Sequence, residues 1–137
     1  MTTQPMWVSS VTISAPDPGL LADFYAQFLG CTVTAKDGPP PGGAPPEIGW
    51  AQLRAPDGLQ GLRTINIEIE RDYTPPTWPT EAGKQLIMTH LDIPVQDVDE
   101  AAARAIEAGA RLAEVQPREY NRVMLDPAGH PFCLFPG

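Results

Sequence analysis

Val11-Thr12-Ile13-Ser14-Ala15-Pro16-Asp17 and Leu91-Asp92-Ile93-Pro94-Val95-Gln96-Asp97 are two renderings of one pattern. In each, apolar residues alternate with others and an aspartate follows. Alternation at period two marks a strand with one buried face. The aspartate marks a helix start, because its carboxylate accepts a backbone N–H that the first turn leaves unpaired. After Asp17 comes Pro18, suited to the first helical position, and then Leu21, Phe24, Tyr25, Phe28 and Leu29 at helical spacing. After Asp97 comes Glu100, a capping-box partner, with Val98, Ala101, Ala102, Ala105 and Ile106 as the apolar stripe. Gly30 is placed to end the first helix in a left-handed turn, and Gly109 to close the second. The aspartates stand 80 residues apart, and the glycines 79.

Outward from these units the strands repeat as well. The spacing predicts strands over Trp7–Ser14, Cys31–Ala35, Ile48–Arg54 and Thr64–Glu70 in the first half. In the second half it predicts Leu86–Val95, Arg111–Val115, Asn121–Leu125 and a closing strand at Phe132–Phe135. Ile65, Ile67 and Ile69 alternate with Asn66, Glu68 and Glu70, the clearest two-residue period in the chain. Pro56-Asp57-Gly58 and Pro127-Ala128-Gly129 occupy matching turns 71 residues apart. Residues 37–46 are dominated by Pro and Gly and read as a loop. A second Pro-rich segment, Thr74-Pro75-Pro76-Thr77-Trp78-Pro79, falls near the middle. The order is therefore βαβββ written twice: one domain over residues 1–137, with a first module at about 6–70, a linker at about 71–85 and a second module at about 86–137.

This duplication, with its closing Asp126-Pro127-Ala128-Gly129-His130 hairpin, resembles the vicinal-oxygen-chelate superfamily. That group includes glyoxalase I, bleomycin-resistance proteins and extradiol dioxygenases, and the closest likeness is to small glyoxalase-like proteins. The resemblance covers nearly the whole chain. It implies an α+β fold in which two tandem βαβββ modules form a curved, half-barrel-like mixed sheet around a ligand cleft, and it implies a homodimer.

In that superfamily a metal, where present, takes His, Glu or Gln ligands from the first and last strands of each module. Carried onto this chain, the first-strand positions are Ser10 and His90, each seven residues before its aspartate. The last-strand positions are Glu68 and Cys133. His90 and Glu68 are suitable donors, but the neutral Ser10 hydroxyl is a poor one. Cys133 lies in Phe132-Cys133-Leu134-Phe135, where burial raises a thiol pKa. The ligand set is thus short of good donors. The expected protein binds a small molecule without a complete metal site and without a cofactor. The alternative is a metal-dependent lyase, isomerase or dioxygenase using a divalent ion, His90 and Glu68, with Cys133 as a further candidate ligand.

Each candidate also has an ordinary reading. His90 is either a cleft residue or a histidine hydrogen-bonded to Asp92. Cys133 reads first as a small buried hydrophobe. Trp78 is a lid over a pocket or a plug between modules. Trp50, Tyr120 and Arg122 are placed to line the cleft or to pack in the ordinary way. His130 reads as a turn residue capping backbone groups.

Composition narrows the field. The 137 residues, 42% of them hydrophobic, suffice for one core. A net charge of -8 supplies no basic surface for nucleic acid or for an anionic membrane, and mildly suits cationic ligands. No apolar stretch reaches the roughly 20 residues that span a bilayer. Two cysteines and an N-terminus without a signal-like apolar run point to the cytoplasm.

Overall fold

The computed structural model describes residues 4–37 and 49–137. Its elements follow the expected order: β1 (Ser10–Ala15), α1 (Pro18–Leu29), β2 (Thr32–Lys36), β3 (Trp50–Arg54), β4 (Thr64–Ile69), β5 (Leu91–Val95), α2 (Val98–Ala108), β6 (Arg111–Leu112), β7 (Arg122–Leu125) and β8 (Pro131–Pro136). They build two four-stranded sheets of matching topology, β1-β4-β3-β2 and β5-β8-β7-β6. In each, the first strand runs parallel to the last, and the others pair antiparallel. The sheets are separate, not closed into a barrel, and two helices complete this α+β fold.

The helices begin and end for the reasons the sequence supplies. Asp17 Oδ1 accepts from Leu20 N at 3.1 Å and Asp97 Oδ1 from Glu100 N at 3.0 Å. Gly30 closes α1 with φ +71°, a conformation costly for any residue bearing a Cβ. Leu21, Phe24, Tyr25 and Phe28 form the buried face of α1. Phe24, Tyr25 and Phe28 meet Phe132 of β8, with ring centroids 5.7–6.3 Å apart. One apolar core therefore serves both sheets. In α2 the stripe is narrower than expected, since Ile106 is exposed.

β1, β5 and β6 are shorter than the sequence predicts, each for want of a partner. β1 starts at Ser10 because its neighbour starts at Thr64, just after the chain turns through Gly61 at φ +99°; Trp7 and Val8 are exposed. β5 starts at Leu91, opposite Phe132, because β8 itself begins at Pro131. β6 stops at Leu112; beyond it Ala113 N still donates to Val123 O at 3.0 Å, and a side chain takes over the rest of the ladder. Gln116 Oε1 accepts from Val123 N and its Nε2 donates to Val123 O, both at 2.8 Å. The expected 37–46 loop and the start of the expected 48–54 strand lie largely outside the described residues.

Candidate functional site

The outer face of the second sheet is where several candidate residues converge. Asp92, Cys133 and Val123 sit side by side on β5, β8 and β7. Around them the chain closes a cavity of about 260 Å³. Its floor is apolar, made by Val123, Phe132, Pro131 and Ile87. Trp78 from the linker forms one wall and donates from Nε1 to Val115 O at 3.1 Å, tying the linker to the loop after β6. That loop supplies Gln116, Arg118 and Asn121 as the opposite wall.

The polar groups facing this cavity differ in how far they are engaged. His90 Nδ1 lies 3.3 Å from Asp92 Oδ1, so both readings of His90 hold together: it lines the cavity and partners Asp92. The Gln116 amide is spent on the backbone of Ala113 and Val123. The Cys133 thiol is pushed up, first by burial and then by the Asp92 carboxylate, against smaller opposing effects of an Asn121 hydrogen bond and the Arg118 charge. At neutral pH such a thiol stays protonated and nucleophilically quiet. Arg118 has no hydrogen bond or ion pair with another described residue.

Of the expected cleft residues, Trp78, His90 and Cys133 thus come together, and the others stand elsewhere. Ser10, Trp50 and Glu68 belong to the first sheet, where Glu68 is exposed opposite Ser14 and Trp50. Trp50 N donates to Asp37 Oδ2 at 3.0 Å. Arg122 reaches Asp99 of α2 at 3.2 Å, because its register partner is the core residue Leu134 and the pleat turns both to the helix side. Tyr120 is 72% exposed and outside the cavity. A depression of about 490 Å³ does lie between the modules, with Thr12 and Ser14 on one side and Thr89 and His130 on the other. None of the expected cleft residues lines it. Among the described residues no three His, Cys, Asp or Glu side chains gather as a metal-holding group. Glu68 is on the first sheet and His90 and Cys133 are at the second.

The sequence reading missed a buried network at the closing hairpin. Asp126 is 1% exposed. Its Oδ1 accepts from Ala128 N and His130 N at 2.9 and 3.0 Å, and its Oδ2 accepts from the Tyr25 hydroxyl at 2.7 Å. His130 Nδ1 is 2.8 Å from Oδ2, and Nε2 is 3.2 Å from the Tyr73 hydroxyl. That hydroxyl also donates to Ala128 O at 2.8 Å. Burial, followed by the Asp126 charge, pushes Tyr25 well above its usual range and Tyr73 up to about 12. Both hydroxyls therefore serve as neutral donors. The hint was present in Asp126-Pro127-Ala128-Gly129-His130, but the distant tyrosines were not readable from local spacing.

The glyoxalase-like domain family matches residues 10–135. Among solved structures, the fosfomycin resistance protein FosX of Mesorhizobium loti is 13% identical, with 98% of this chain and 94% of that one covered at a TM-score of 0.65. The trypanothione-dependent glyoxalase I of Leishmania major is 16% identical, over 96% and 87%, at 0.64. An antibiotic-binding protein from a Streptomyces species is 19% identical, over 98% of both chains, at 0.57. At these identities the likeness is one of fold. No curated protein matches the sequence.

Proposed function

Because the chain belongs to the glyoxalase-like family of the vicinal-oxygen-chelate superfamily, we propose that it binds a small organic molecule in the cavity on its second sheet, without a metal ion. The observation that carries this reading is the cavity: an apolar floor of Val123, Phe132 and Ile87, an aromatic wall at Trp78, and a few polar groups at the rim. That is the make-up of a ligand site, where apolar contact supplies affinity and sparse polar groups set orientation. Relatives of this fold include both enzymes and an antibiotic-binding protein, so the fold leaves the choice to the site. The donors at hand do not suit a metal. His90 is turned to Asp92, the Cys133 thiol is held protonated, and Glu68 stands on the other sheet. In the same reading the protein is a cytoplasmic homodimer of two-module domains and engages neither nucleic acid nor membrane. No helix among the described residues is long and apolar enough to cross a bilayer.

The test uses prodan, a small neutral naphthalene fluorophore. We expect saturable one-to-one binding, unchanged after dialysis against EDTA and lost in Cys133→Phe, which fills the cavity from its floor. A stoichiometric transition metal in the purified protein, lost in His90→Ala, would overturn the metal-free reading and restore the enzyme of the lyase, isomerase or dioxygenase kind.

A further inference from the structure

We propose that the cavity selects a flat, apolar molecule carrying one negative charge, such as an aromatic carboxylate, with its ring against Trp78 and Val123 and its anionic group on Arg118. This rests on the reading that the cavity is the ligand site, and it adds the class of ligand. Most polar groups around the cavity are already engaged. The Gln116 amide is fully committed to the backbone of Ala113 and Val123. Asp92 is engaged by His90. Asn121 is engaged by Cys133. Arg118 is the cation lining the cavity that has no carboxylate within ion-pair distance among the described residues, although Glu114 and Glu119 are near it in sequence; the Asp92 carboxylate lines the cavity too, with His90 Nδ1 3.3 Å from one oxygen. A guanidinium offers a planar fork of donors that matches a carboxylate, and beside an apolar floor it has little else to meet.

The overall charge of -8 points the other way, toward cationic ligands. Range decides between the two. At physiological salt the Debye length is about 8 Å, so acids elsewhere on the surface are screened, while a contact pair at the rim of a partly dry cavity is screened much less. Arg118 is itself exposed, which limits the gain to the lower end for charge-assisted pairs.

The experiment compares 2-naphthoate, 2-naphthamide and protonated 2-naphthylmethylamine as competitors of prodan. These share one ring system and differ in charge. We expect naphthoate to bind about three- to fivefold more tightly than the amide, and the ammonium to bind most weakly. Arg118→Gln should bring naphthoate down to the level of the amide while leaving the affinity of the amide unchanged. The preference of the native protein should shrink between 50 mM and 0.5 M NaCl. Equal binding of all three, or tightest binding of the ammonium, overturns the anion proposal and leaves the cavity as the ligand site. The same holds if the preference for naphthoate survives Arg118→Gln. Binding of none of the three at millimolar concentration removes the site and this proposal together.

Discussion

Tyr25→Phe is the sharpest probe of how the two halves are held together. The hydroxyl sits on α1 of the first module and donates at 2.7 Å to Asp126, a buried carboxylate in the closing hairpin of the second. Removing it leaves the ring contacts with Phe24 and Phe132 in place, so packing changes little. What is lost is one donor to a buried anion. A hydrogen bond to a charged group is worth about 1.5–3 kcal/mol, more than a neutral pair. Oδ2 keeps His130 Nδ1 and Oδ1 keeps two backbone N–H groups, which softens the loss. We expect destabilisation of about 2 kcal/mol in urea unfolding followed by circular dichroism, with an unchanged m-value. For a chain of this length that corresponds to a fall in Tm of roughly 6–10 °C. Tyr73→Phe is the control. Its hydroxyl meets the same network through His130 but is partly exposed, and should cost less than about 1 kcal/mol. A Tyr25→Phe cost under about 0.5 kcal/mol, or one equal to that of Tyr73→Phe, would show that the backbone donors alone satisfy Asp126.

Two further outcomes follow from the same contacts. Tyr25 keeps its proton in the folded protein at pH values where it would lose it unfolded, so its contribution is intact below about pH 10 and is lost as pH rises through the raised folded value. Stability measured by urea titration should fall above pH 10, and Tyr25→Phe should make that fall shallower by about 1.4 kcal/mol per pH unit; an unaltered slope would refute the assignment. Gln116→Leu leaves Val123 N without its acceptor, while Val123 O keeps Ala113 N at 3.0 Å, and frees the cavity wall. It should cost about 2 kcal/mol or more and weaken prodan binding severalfold, whereas an exposed control such as Glu119→Gln should change neither.

Much of the fold could be read before any coordinates because its signals are local. Asp17 and Asp97 cap helices through bonds three residues long, and Gly30 ends one by a backbone conformation of its own. Strand ends were harder, since a strand extends only as far as its neighbour does. Trp7, Leu86 and Val115 were given to strands on their own periodicity, and the partner segments run out before reaching them. The site was legible only in part for a related reason. Trp78, His90 and Cys133 were found by residue type and by analogy between the halves. Arg122 was assigned to the cleft, but one step of the pleat sends it to Asp99. The wall residues Gln116, Arg118 and Asn121 lie in an irregular loop, where no period tells which way a side chain turns.

The duplicated halves also differ on their outer faces, which explains why the cavity around Cys133 and Val123 has no counterpart at the equivalent place on the first sheet. On the outer face of the first sheet, Thr34 donates to the Gln52 side chain at 2.9 Å, and Gln52 donates onward to Asn66 at 3.0 Å. Glu68 continues that polar row and is exposed. These groups are content in water, and covering them with an apolar ligand would cost their hydration. At the equivalent place on the second sheet stand Val123 and Cys133, which gain by losing water. The linker then brings Trp78 over this apolar face and anchors it at Val115. Duplication thus supplied two similar sheets, and side-chain chemistry made the outer face of the first polar and that of the second apolar. The network from Tyr25 to His130 fixes the hairpin that carries Phe132 and Cys133, so the same contacts that join the modules also hold the floor of the cavity in place.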